Sequence, residues 1–145
     1  MIKKTLIILF FVLFALTISA HAVEWTVANQ ATVAWDAVTT TGSGATIPAT
    51  DQVKYQVYIV KESANKTTAI KSGEETEALE HVITFPEEGR WLAGVKTIRI
   101  PEASPADIQE SEITWSDNTD VARVPVPFGF IYFEPPAANT GFGPK

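Results

Sequence analysis

No cysteine occurs anywhere in the chain. That excludes a disulfide framework, a thiol nucleophile and the thiolate ligands on which most structural zinc sites depend. Histidine is nearly as scarce, with only His21 and His81 present. A Ser-His-Asp arrangement would have to rest on His81, with its serine and acid brought in by folding. No Gly-x-Ser-x-Gly elbow occurs; Gly42-Ser43-Gly44 lacks its spacing. A Gly-rich phosphate loop is also missing. Basic residues are in deficit, 11 Lys and Arg against 17 Asp and Glu, for a formal net charge of −6. Nucleic acid and anionic membrane surfaces both demand a basic face, so neither is expected as a partner. Beyond the N-terminal segment no stretch sustains helical periodicity.

Carboxylates are plentiful, at Glu74, Glu75, Glu77, Glu80, Glu87, Glu88, Asp117 and Asp120. Paired acids hydrolyse glycosides only when held several ångströms apart across a cleft, and these fall in predicted turns. Asp117-Asn118-Thr119-Asp120 lacks the later glycine and bidentate glutamate of a calcium loop. No catalytic residue, metal or cofactor is expected, and a small hydrolase is the least favoured class.

The N-terminus reads as an export leader. Lys3 and Lys4 make a positive start, residues 5–19 are uncharged and mostly apolar, and Ala20-His21-Ala22 has the small-x-small form of a cleavage site. The apolar run is short for a bilayer span, which needs about 20 residues. Cleavage would leave Val23 first, deepen the acidic imbalance by two charges and leave no membrane segment. A secreted or periplasmic product, of bacterial type given the absence of disulfides, is expected.

Past residue 22 the sequence alternates in short runs. Residues 23–28 form a weak edge strand around Trp25, and residues 30–36 place Ala31, Val33 and Trp35 on one face. Residues 37–52, rich in Thr, Gly, Ser and Ala, form a long loop carrying Thr40, Gly42, Ser43 and Gly44. Residues 53–60 put Val53, Tyr55, Val57 and Ile59 on one face, and their β-branched and aromatic content favours a strand. Residues 61–77 are polar, with a short strand at 67–70 and a turn at Ser72-Gly73. A strand over 78–85 enters a corner, and a strand over 91–100 leaves it, ended by Pro101, which has no amide donor. A loop over 101–109 carries Ser104 and Asp107; residues 110–115 then alternate with Ser111, Ile113 and Trp115 together.

The corner reads Phe85-Pro86-Glu87-Glu88-Gly89-Arg90-Trp91, with Ala93 and Val95 continuing the face of Trp91. An aromatic two residues past the glycine is similar to the corner of immunoglobulin-like sandwiches, and Ala93 stands where antibody domains place a bridging cysteine. Joined to Trp35 in Thr32-Val33-Ala34-Trp35-Asp36, to Tyr55, and to Glu110-Ser111-Glu112-Ile113-Thr114-Trp115-Ser116, the corner resembles the fibronectin type III domain over residues 24–120. The resemblance implies an all-β, immunoglobulin-like antiparallel β-sandwich of about seven strands without disulfides. Its core would hold Trp35, Tyr55, Phe85, Trp91 and Val95. The chain departs from that family in its long loop after Trp35, in the weak signal before residue 78, and at Trp91. A tryptophan there cannot make the usual phenolic hydrogen bond to the backbone, although its indole N–H can donate.

The expected organisation is thus a leader over 1–22, a fibronectin type III-like domain over 23–120, and a Pro- and aromatic-rich tail over 121–145. In the tail, Phe128, Phe130, Tyr132 and Phe133 make an apolar cluster that either returns to the sandwich as an extra strand or stays free as a docking segment. The expected function is a non-catalytic module mediating protein or carbohydrate contacts at the cell envelope or exterior. The alternative is a subunit of a surface, secretion or phage-related assembly, docked through its tail by strand addition. In the fibronectin type III fold the loops 37–52 and 101–109 share a pole, which makes Thr40, Gly42, Ser43, Gly44, Ser104 and Asp107 binding candidates beside the tail aromatics. Of the four tryptophans, Trp25 and Trp115 are the candidates for stacking on a sugar.

Overall fold

The computed structural model describes residues 22–137; the expected leader, Ala22 apart, and residues 138–145 lie outside the described residues. Strand β1 (Glu24–Val27) is followed by β2 (Gln30–Ala34), which buries Ala31 and Val33 and exposes the residues between them. The long strand β3 (Gln52–Lys61) and the short β4 (Ile70–Lys71) come next, separated by a single 3-10 turn, Lys66–Thr68. Strand β5 (Glu80–Thr84) then leads through the corner into β6 (Gly89–Ile100). Last come β7 (Gln109–Glu110), β8 (Thr114–Trp115) and β9 (Phe128–Tyr132). Burial alternates cleanly in the short strand β2 and runs over consecutive residues in the long strands β3 and β6. No α-helix occurs among the described residues, and none is long and apolar enough to cross a membrane.

The chain is therefore all-β, with one sheet of seven strands and a second of two. The large sheet runs β1-β9-β6-β3-β4, with β7 and β8 also paired to β6; the small sheet is β2-β5. Nine strand segments occur among the described residues, three of them (β7, β8 and β9) successive along one edge of β6, and pairing is not wholly antiparallel: β1 lies parallel to β9, Trp25 opposite Gly129. Side chains of both sheets share one core. Ala31, Val33, Ile83 and Phe85 of the small sheet and its corner meet Val57, Ile59, Trp91, Ala93 and Phe130 of the large one. Phe85 anchors the aromatic part, with ring centroids 6.3 Å from Trp91, 5.7 Å from Phe130 and 5.8 Å from Tyr132.

The corner follows the chemistry open to a tryptophan. Trp91 is buried, and its Nε1 donates to the Glu87 carbonyl at 3.0 Å, closing the turn four residues upstream. Gly89 permits that turn, since its φ of 142° lies where side chains are strained.

The last strand departs most from expectation. β6 pairs with β3 along one edge and with β7, β8 and β9 in succession along the other. Between β7 and β8 the register slips by one residue, from Ile98 opposite Glu110 to Gly94 opposite Trp115, as at a β-bulge. Ser111 spans the slip: its N–H donates to the Thr97 carbonyl and its Oγ accepts from the Thr97 N–H at 3.0 Å. After Ser116, whose Oγ accepts from the Ala93 N–H at 3.1 Å, residues 117–127 loop out of the lane. Phe128 N–H returns to the Ser116 carbonyl at 2.9 Å. The aromatic cluster is thus the second half of an interrupted strand, and the sheet draws on residues beyond Asp120.

Candidate functional site

The looped-out segment makes a site. It stands away from the sheet and, with the end of β2, walls a cleft of about 580 Å³ floored by β6 and β8. Trp35, Tyr55, Val95, Thr114, Trp115 and Arg123 are among its lining side chains. Trp35 lies against Tyr55, ring centroids 5.4 Å apart. The Tyr55 hydroxyl accepts from the Val38 N–H at 3.0 Å, which leaves its own proton to donate. Trp35 Nε1 is buried and has no hydrogen-bond partner among the described residues. The cleft therefore presents a largely apolar lining, with the Trp35 ring at its wall and the indole nitrogen buried out of reach of solvent. Trp35 and Val95, expected in the core, are only half-buried because they line this opening; Tyr55, Phe85 and Trp91 are buried as expected.

The looped-out segment holds itself in shape. Asp120 N–H donates to Asn118 Oδ1 and Ala122 N–H to Asp120 Oδ1 at 2.9 and 3.1 Å, while Asp117 pairs with Lys66 at 2.7 Å. These side chains serve the local turn, and no cluster of three His, Asp or Glu suited to a metal occurs among the described residues.

The two loops expected to bind do share a pole, and the structure joins their roots. Asp51 pairs with Arg99 at 2.6 Å and accepts from the Glu102 N–H at 3.1 Å. That backbone hydrogen bond and the guanidinium of Arg99 hold the Asp51 carboxyl below its ordinary value. Further out, Thr40 bridges to Thr46, and Gly44 N–H donates to the Thr41 carbonyl at 2.9 Å, making a small hairpin that exposes Gly42, Ser43 and Gly44. Ser104 and Asp107 are exposed on turns of their own backbone. Among the described residues no hydrogen bond joins the two tips.

The tail aromatics expected to dock elsewhere are largely committed. Phe130 is buried, Phe128 and Tyr132 are half-buried against the core, and only Phe133 is exposed, at 59%. The cause is the pairing of β9 with strands on both sides. Trp25 and Trp115 lie over glycines of neighbouring strands: a Cβ at Gly129 would sit 2.5 Å from the Trp25 ring, and one at Gly94 2.7 Å from that of Trp115. Arg90 lies over Trp25 at 5.0 Å and Lys66 over Trp115 at 5.6 Å from the ring centroids. Glycine and cation together occupy these rings, which argues against their stacking on a sugar.

His81 faces Ser72, with 3.2 Å between Nε2 and Oγ, and Gly73 is close enough that a Cβ there would meet the ring at 2.6 Å. Ser72 is buried, and no carboxylate is hydrogen-bonded to the ring among the described residues. In sequence the looped-out wall does not differ from the start of a tail. Its one local signal is the run of Asx turns ahead of the buried Val124. Compared with models of known families, with curated proteins and with solved structures, the chain matches none.

Proposed function

We propose that the protein is an exported, non-catalytic β-sandwich module of the fibronectin type III kind that holds a protein or glycan partner in the cleft beside Trp35. The observation that carries this reading is the cleft itself, about 580 Å³ and largely apolar, with the half-buried rings of Trp35 and Trp115 on its walls. Cleft volumes of this order suit ligand binding.

The fibronectin type III assignment is supported by the Trp91 corner and by the separation of β2 and β5 from β3, β4 and β6. The non-catalytic assignment is supported by the burial of Ser72 and by the absence, among the described residues, of a carboxylate hydrogen-bonded to His81. Export is supported by the leader-like sequence of residues 1–22, with its basic start, apolar run and small-x-small site. Strand β9 weighs against docking through the tail, which keeps only Phe133 as a large exposed aromatic among the described residues.

Immobilised full chain and its Trp35→Phe variant, exposed to cell-envelope protein and glycan fractions, test the cleft. The wild type is expected to retain a component that the variant releases; equal retention by both refutes the site. In a bacterial host, N-terminal sequencing of the exported product is expected to begin at Val23. Retention of the product in the cytoplasm with residues 1–22 intact would refute export.

A further inference from the structure

The small sheet ends on an open edge. Strand β2 pairs with β5 alone, and the Trp35 N–H continues that ladder to the Leu79 carbonyl at 3.0 Å. Hydrogen-bonding residues alternate along an antiparallel ladder. Ala31, Val33 and Trp35 therefore bond toward β5, while Thr32 and Ala34 turn their N–H and C=O groups to the other side. Both residues are exposed, and no strand of the described residues pairs there. Strand β1 does not cover this edge, because it belongs to the large sheet beside β9. Strands left at an edge are usually blunted by charge, proline or a bulge; Gln30-Ala31-Thr32-Val33-Ala34 contains no charge and no proline, and its ladder with β5 is regular. The cleft runs along the same edge, since Val33, Ala34 and Trp35 line it and residues 122–126 form the opposite wall.

We propose that this edge takes an extended polypeptide segment of a partner as a third strand of the small sheet, with alternate side chains turned into the cleft. This rests on the cleft being the binding site and names what it binds. The exposed N–H and C=O groups of Thr32 and Ala34 repeat at the two-residue spacing of a strand, which an extended peptide matches and a saccharide does not. The edge bears no formal charge, and Asp36 and Arg123, both lining the cleft, are opposite in sign, so charge complementarity selects a segment of low net charge. Every second side chain of that segment meets the apolar lining, the Trp35 ring included.

Random dodecapeptides displayed on phage and selected on the immobilised full chain supply the probe. Enriched sequences are expected to alternate apolar and polar residues. Their synthetic peptides should bind Thr32→Pro more weakly by about tenfold or more, and Trp35→Phe more weakly as well. Thr32→Pro removes an outward N–H at an exposed edge, where proline is tolerated, and circular dichroism checks its fold. Amide exchange needs no variant: Thr32 and Ala34 are expected to slow when peptide is added to the wild type. Failure to enrich any sequence, or enriched peptides that leave both amides unchanged, overturns the proposal. An array oligosaccharide that perturbs Trp35 but not these amides overturns the polypeptide assignment and keeps the binding cleft. No response at Trp35 to either class removes the binding reading itself. A dimer that Thr32→Pro dissociates gives the edge to a second copy and overturns the partner assignment.

Discussion

Trp91 has two physical roles that substitutions separate. Its ring fills the core beside Phe85, and its Nε1 holds the corner by bonding the Glu87 carbonyl. Trp91→Phe keeps much of the apolar contact and loses the hydrogen bond, so a loss of about 1–2 kcal/mol is expected by urea denaturation. Trp91→Ala empties the site, at about 3–5 kcal/mol; a loss below about 1 kcal/mol would refute the core role. Gly94 and Gly129 act by what they lack, since an added Cβ would run into Trp115 and Trp25. Gly94→Ala and Gly129→Ala are each expected to cost about 1–3 kcal/mol through overpacking. Asp51 brings a pH dependence. Its carboxyl is held below the ordinary value by the Glu102 N–H and by Arg99, so its contribution is present above the unfolded value of about 3.9 and is lost as pH falls through the folded one. Asp51→Asn is expected to lower Tm at neutral pH, with the gap to wild type closing on acidification below about pH 4. A gap unchanged by pH would mean that the carboxylate charge does not tie the pole together.

Strand β9 is the element on which the large sheet depends. It joins β6 to β1 and brings Phe130 into the core. Removing residues 126–145 should therefore abolish cooperative folding, seen as loss of the near-ultraviolet signal. A truncated chain that keeps its unfolding midpoint would show these residues to be an appendage. Whether such a strand can be read from sequence depends on where its information lies. Strand β2 was legible because one-sided burial writes a period of two into its residues, β3, β5 and β6 through their β-branched and aromatic runs, and Trp91 as a corner donor. The bulge at Ser111 and the resumption of the strand at Phe128 were not, since both are set by the facing register of β6. The parallel pairing of β1 is equally non-local. At the site, the sequence singled out Trp35 and Tyr55 but as core residues. The cleft beside them depends on residues 117–127, whose Pro, Asp and Asn content reads as a turn without saying what the turn stands over.

At the scale of the molecule, two unequal sheets must be stable together. A two-stranded ribbon is marginal in water by itself, and β2-β5 has no other strand partner among the described residues. Its inward residues Ala31, Val33 and Ile83 are buried only because Val57, Ile59, Trp91 and Phe130 lie against them. With no disulfide to hold either layer in the unfolded chain, neither sheet has an independent means of persisting once that shared core opens. Unfolding in urea should then be a single transition, with a slope of about 1–3 kcal/mol/M. Far-ultraviolet circular dichroism follows all the strands, whereas tryptophan fluorescence includes Trp35, at the end of β2, and Trp91, within β6. The two probes are expected to share one midpoint, and a reductant should not move it. An earlier fluorescence phase that Trp35→Phe removes would instead show that the cleft side of the small sheet opens by itself. The layer carrying the open edge would then be a separately folding unit, and the shared core would not be what holds the two sheets together.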